Sequence, residues 1–181
     1  MLSNRLLSQA YWRSLAVALV VLLSGCVNPG FVPGVGSQAL RTTQEITVSS
    51  GDLKERFIGV VEMYPNRTAL AVVAGNGLFL FSVQDGDLGR QVERHQDLPE
   101  FVDPARILSD VQLVNWPVSK LRELFGSRVK SGDRERSLNR GGKVIKTVSF
   151  DAEPWTQAVL VDLRHNYQIE VRKVSEERIR Q

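Results

Sequence analysis

Between residues 44 and 173 the apolar positions fall in short runs rich in Val, Ile, Leu and Phe, and Gly, Asp, Asn or Pro interrupts the runs at regular intervals. This is the spacing of strands and turns. It predicts strands over residues 45–49, 56–64, 68–74, 78–84, 89–95, 137–140, 143–150, 157–163 and 167–173. The connectors Pro65-Asn66, Gly75-Asn76-Gly77, Asp85-Gly86, Gly141-Gly142 and His165-Asn166 have the residues that tight turns require. Links this short join antiparallel neighbours.

The last run alternates, with Tyr167, Ile169 and Val171 on one face and Gln168, Glu170 and Arg172 on the other, so one face meets water. Residues 68–74 and 78–83 are apolar on both faces, which predicts that this part of the sheet is covered on both sides or faces an apolar space. The middle of the chain supplies a cover. Asp103-Pro104 offers an N-cap and a proline at the first helical position, and Ile107, Leu108, Val111 and Val114 follow at helical spacing. Trp116-Pro117 restarts the chain, and Val118, Leu121, Leu124 and Phe125 mark one face of a second helix that Gly126 ends. The expected fold is therefore mainly β with two central helices (α+β). A strongly curved antiparallel sheet, or incomplete β-barrel, would carry the helical pair as a plug or lid on its concave side.

At 181 residues and 43% hydrophobic composition the chain fits one domain with a sizeable core. Its beginning reads differently. Residues 1–13 are polar with only positive charge, residues 14–23 (SLAVALVVLL) are apolar, and Leu23-Ser24-Gly25-Cys26 follows. This is the order of a secretory signal. Ten helical residues rise about 15 Å, half of the roughly 30 Å hydrocarbon core, too short for a comfortable transmembrane span. Loss of Arg5 and Arg13 with the signal lowers the formal charge from +3 to about +1, which gives no basis for binding nucleic acid. The basic cluster Arg128, Lys130, Arg134, Arg136, Arg140 and Lys143 reads as a solvated loop. One cysteine excludes an intramolecular disulfide.

Leu23-Ser24-Gly25-Cys26 resembles the lipobox of bacterial lipoproteins. The resemblance implies cleavage between Gly25 and Cys26, a diacylglyceryl thioether on Cys26 and acylation of the freed amino group. Several acyl chains together make desorption negligible where one holds only marginally. Val27 stands where an Asp would signal retention in the inner membrane, so the resemblance implies a lipid-anchored protein of the outer membrane facing the periplasm. Its partners would be that membrane and the lipoprotein maturation and sorting machinery. The expected organisation is a signal peptide over residues 1–25, a lipidated N-terminus and Gly/Pro-rich tether over 26–43, one half-barrel domain over 44–175, and a polar tail over 176–181.

The domain also resembles a family of small Gram-negative lipoproteins known only as a domain of unknown function. The resemblance rests on Leu98-Pro99, Pro104, Leu108, Asp110, Gln112-Leu113, Trp116-Pro117, Arg136-Ser137-Leu138 and Asn166-Tyr167, and its most specific part is the Asp-x-Gln-Leu-x-x-Trp-Pro string. Members are often encoded beside genes for fatty-acid-like or aryl-polyene glycolipid synthesis. The resemblance implies a fold similar to LolA and LolB, the lipoprotein carrier and receptor of the Lol pathway. Such proteins hold acyl chains in an apolar cavity, which implies an acyl-chain or glycolipid ligand here.

Candidate chemistry is sparse. The mature chain has no Gly-rich phosphate loop, no Ser nucleophile elbow and no paired metal-ligand spacing, so no cofactor, no metal and no enzymatic activity are expected. His95 and His165 sit at predicted strand ends, where solvated or capping roles are favoured. Asp110 and Gln112 lie on an otherwise apolar helix, where they either make structural hydrogen bonds or orient a ligand head; the structural role is favoured. Trp116 either closes the helix pair as a core anchor, the favoured reading, or plugs a cavity mouth. Asp110, Gln112, Leu113, Trp116, Phe79 and Phe81 are the candidate cavity and lid residues. Three functions stay open: a protein that binds or hands on a lipid-like or acylated molecule, a non-catalytic accessory binding another envelope or biosynthetic protein, and a hydrolase or transferase using Asp110 and His165. The first gives the apolar excess a use.

Overall fold

Each tight turn reverses the chain, so strands adjacent in sequence become adjacent in space. A computed structural model describes residues 39–179 apart from Pro65. The signal segment, Gly25, Cys26 and the start of the tether lie outside the described residues. The strands are β1 (Ala39–Ser50), β2 (Leu53–Tyr64), β3 (Arg67–Ala74), β4 (Phe79–Gly86), β5 (Gly89–Arg94), β6 (Val129–Ser131), β7 (Glu135–Arg140), β8 (Lys143–Phe150), β9 (Gln157–Asp162) and β10 (Tyr167–Ile179). They form one ten-stranded antiparallel sheet in the order β5-β4-β3-β2-β1-β10-β9-β8-β7-β6. β5 and β6 are its two edges, and the sheet does not close into a barrel. Helices α1 (Pro104–Asn115) and α2 (Val118–Phe125) sit between β5 and β6 in the chain.

Turn chemistry sets the register. Gly141 and Gly142 both take positive φ, 58° and 78°, which gives the β7–β8 hairpin the primed turn that matches strand twist. The middle of the inner face of β2 to β4 is apolar, with Val61 opposite Leu70 and Leu70 opposite Val83, and the buried pair Thr68 and Asp85 ends it. Gly59 interrupts that face because a Cβ there would come within 2.7 Å of Ile46 Cδ1. Asp103 caps α1 by accepting from the backbone N–H groups of Ala105 and Arg106 at 3.0 and 3.3 Å. Ile107, Leu108, Val111 and Val114 bury one stripe of α1, and Trp116 and Leu121 join the same core.

Three expectations change. The sheet extends past residues 45–173 because its first and last strands pair, from Ala39 opposite Ile179 to Ser50 opposite Tyr167. The start of β1 lies in the stretch read as tether, and the end of β10 reaches into the stretch read as tail. β6 was not predicted, since only Val129 of its residues turns into the core. The outer face of β2 to β4 is also not covered: Ala71 is exposed, and Ala69 and Val73 are half-buried. Alanines expose little apolar surface, so that face tolerates water. Among the described residues no helix is long and apolar enough to cross a membrane.

Candidate functional site

Strand pairing builds one row across the inner face of the sheet. Tyr167 stands opposite Asp162, Asp162 opposite Lys146, and Lys146 opposite Leu138. The row therefore places a buried carboxylate beside a buried ammonium, 0% and 8% exposed. Asp162 ends β9 and holds the following turn: its Oδ1 accepts from the N–H groups of Arg164 and His165 at 2.9 and 3.2 Å. Its Oδ2 lies 2.9 Å from His165 Nδ1 and 3.1 Å from Lys146 Nζ. Lys146 also donates to Oδ1 of Asp110, which α1 carries inward. The result is a continuous Asp110, Lys146, Asp162, His165 chain.

The two carboxylates respond oppositely. Burial raises Asp110 to about 6, with Lys146 offsetting part of that rise. Burial also acts to raise Asp162, but hydrogen bonds from His165 and Lys146 and the Lys146 charge outweigh it and hold the group at about 2. The ammonium bridges the two carboxylates.

A pocket of about 550 Å³ opens beside this chain. α1 lines it with Ala105, Arg106, Ser109, Asp110, Gln112 and Leu113, and Phe125, Leu138 and Lys146 close the far side. Ser109 and Leu113 are each two residues from Val111, about 200° around the helix, so the pocket lies on the side of α1 opposite its core stripe. Arg90, Arg106 and Arg164 also line the pocket. Arg90 is paired with Asp85 at 2.7 Å, and Arg106 stacks over the Tyr167 ring at 5.4 Å. Inside, Asp110 Oδ2 and both amide atoms of Gln112 are buried without a hydrogen-bond partner.

The sequence candidates divide. Asp110, Gln112 and Leu113 line the pocket. Trp116 and Phe81, both 0% exposed, lie in the core under α1 instead, and Phe79 is half-buried beyond a β-bulge. None of these three lines the pocket; for Phe81 and Trp116 the core stripe of α1 and the strands below it fill the space they border. Asp110 and His165 share the pocket, joined through Lys146 and Asp162 without direct contact. His95 accepts at Nδ1 from the backbone N–H of Asp97, a capping arrangement.

Sequence reasoning missed Lys146, Asp162 and Arg136. Arg136 leaves the basic cluster read as a solvated loop: its Nη1 donates to the carbonyls of Leu113, Val114 and Trp116 at 3.0, 3.0 and 2.8 Å. It thereby satisfies the C-terminal end of α1. Burial pushes its pKa down, and Glu153 offsets part of that. A signal was present for Lys146 and Asp162. Lys146 shares a strand face with Val148, and Asp162 shares one with Ala158 and Leu160, so each charge interrupts an apolar register.

A family model described as a protein of unknown function (DUF3261) matches residues 41–175. No curated protein matches the sequence. The chain is similar to the crystal structure of a LolA superfamily protein from Nitrosomonas europaea, with TM-score 0.45 and 11% identity over 80% of this chain and 87% of that one. It is similar also to a putative outer membrane lipoprotein-sorting protein domain from Vibrio parahaemolyticus, with TM-score 0.44 and 10% identity over 80% of this chain and 86% of that one.

Proposed function

The chain belongs to the DUF3261 family of proteins of unknown function, and we propose that its pocket binds one end of a lipid-like or acylated molecule in the cell envelope. In this reading the protein is a lipoprotein held to the outer membrane through Cys26, with its domain in the periplasm. The observation that carries the reading is the composition of the pocket. Ala105, Leu113, Phe125 and Leu138 give it apolar walls, while Arg90, Arg106 and Arg164 bring charge to the same space. A volume of about 550 Å³ is in the range of small-molecule sites, which combine apolar lining with a few placed polar groups.

Native mass spectrometry of the mature, membrane-extracted protein tests this. We expect one non-covalent amphiphile per chain in addition to the mass of the anchor. Leu138→Trp, which fills the pocket from β7, should abolish it. A chain that carries no amphiphile and takes up no fluorescent fatty acid would refute the proposal. The anchor is tested separately: labelled palmitate should enter the protein, and Cys26→Ser should release it from the membrane fraction.

A second reading, an accessory that docks another envelope protein, draws on β5, an edge strand exposed along its whole length. Crosslinking to a partner that persists in Leu138→Trp would favour it.

A further inference from the structure

We infer that the pocket selects an amphiphile whose polar end is uncharged and rich in hydroxyl groups over one whose polar end is anionic. The inference rests on the pocket reading above and specifies its ligand.

The argument is an inventory of donors and acceptors. Buried polar groups are nearly always paired, so unpaired ones at a cavity wall show what the cavity lacks. Asp110 and Gln112, each 1% exposed, line the pocket and leave three atoms unpaired: Asp110 Oδ2, Gln112 Oε1 and Gln112 Nε2. As an ionised carboxylate and a primary amide, these are two acceptors and one donor. A ligand that completes them must donate twice and accept once. A carboxylate, sulfate or phosphodiester head only accepts, so it leaves both oxygens unpaired. Hydroxyl groups do both.

Placement adds a size requirement. Asp110 and Gln112 are two residues apart on α1, about 200° around its axis, so they stand at opposite margins of the pocket. A single small group does not reach both. A head several atoms across, with hydroxyls on more than one side, does.

Charge points the same way. At the inner wall Lys146 already serves two carboxylates, Asp110 and Asp162, and Arg90 is paired with Asp85. Arg106 lies 3.9 Å from Asp103, so three of the four Lys and Arg side chains that line the pocket already have a carboxylate partner, and Arg164 is the fourth. An anionic head therefore competes with those carboxylates for every one of these cations but Arg164, and an uncharged polyol competes for none.

The test holds the alkyl chain constant and varies the head. The mature chain, reconstituted by its own anchor in phosphatidylcholine nanodiscs, is titrated with hexyl β-glucoside and with hexyl sulfate, with empty nanodiscs as reference. Hexyl β-glucoside should bind about tenfold tighter, the factor a net gain of one hydrogen bond supplies. Gln112→Leu should lower that ratio, leaving only Asp110 Oδ2 to favour the hydroxyl head, and raise the melting temperature, since it removes an unpaired buried amide. Hexyl sulfate binding as tightly as the glucoside, or a ratio left unchanged by Gln112→Leu, would overturn the inference. If both probes bind alike and Leu138→Trp abolishes both, the pocket reading stands and head selection falls. If neither probe binds the wild-type chain, both fall together.

Discussion

The inner faces of the two halves of the sheet meet the same helix with different chemistry, since charged groups stand among the buried Val148, Ala158 and Leu160 of β8 and β9. β2 to β4 present Phe57, Val61, Leu70, Val72, Phe81 and Val83, all buried and apolar. β7 to β9 present Arg136, Lys146 and Asp162, and each finds a polar partner: Arg136 on the carbonyls of α1, Lys146 on Asp110 of α1, and Asp162 on Lys146. Apolar contact is non-directional, so the dry half fixes that α1 is buried and leaves its rotation and axial position loosely set. Hydrogen bonds are directional. The polar half therefore sets the helix, from its middle at Asp110 and from its end at Arg136. Close packing does not extend to this side, and the pocket lies there.

Lys146→Met breaks the contrast most severely. It leaves Asp110 and Asp162 buried without their shared cation, and loss of one partner from a buried ion pair costs about 3–5 kcal/mol. Urea unfolding should show that loss, and Asp110→Asn in the same chain should recover part of it. Leu70→Ala in the dry half costs about 2–5 kcal/mol through its cavity, with no recovery from Asp110→Asn. Equal recovery in both backgrounds would mean that the two halves are not chemically distinct.

Proton linkage separates the halves next, because the titrating chain belongs to the polar half alone. Asp110 is raised to about 6 from an ordinary 3.8, so between these values the folded chain holds a proton that the unfolded chain releases. Stability from this group falls as pH rises through that window, by on the order of 3 kcal/mol. Asp162 is lowered to about 2, so its contribution is present above 3.8 and is lost as pH falls toward 2. Together they place the optimum of this pair near pH 4. Melting temperatures from pH 3 to 7 should fall more steeply between 4 and 6 in the wild-type chain than in Asp110→Asn. Parallel curves would remove Asp110 as the cause.

The dry half was the legible half. Runs such as residues 68–74 and 78–84 announce strands through composition, and Asp103-Pro104 announces a helix start through local capping chemistry. Both are short-range signals. The first residues of β1 were not legible because its inward side chains there, Thr42 and Gln44, are polar, and Gln44 donates to Asn115 at the end of α1 at 2.7 Å. The polar half shares that difficulty. Asp110 and Gln112 drew attention as polar residues on an apolar helix, but Lys146 and Asp162 acquire their meaning only when β8 and β9 pair in register. Phe79, Phe81 and Trp116 suggest a cavity lining by type, and only packing shows that Phe81 and Trp116 fill the core.

Arg136 illustrates the limit, since six basic residues between 128 and 143 look alike in sequence and one of them faces inward. It stands opposite Val148, and Val148 opposite Leu160, in a row otherwise formed by buried apolar residues. From there a single Nη1 serves three carbonyls at the end of α1, while the guanidinium stacks over Phe150 at 4.7 Å. Arg136→Met keeps the volume and removes the donors, so the carbonyls stay buried and unpaired at a cost of about 2 kcal/mol. Arg136→Lys should recover little of that, because an ammonium has neither the planar fork nor the stacking face. The loss should also be local. Hydrogen exchange in Arg136→Met should speed up in the last turn of α1 and leave β2 to β4 protected, because the apolar contacts of the dry half do not depend on how the helix end is satisfied. Uniform acceleration across the sheet would show that the two halves unfold as one and that the polar half holds no separate control over the helix.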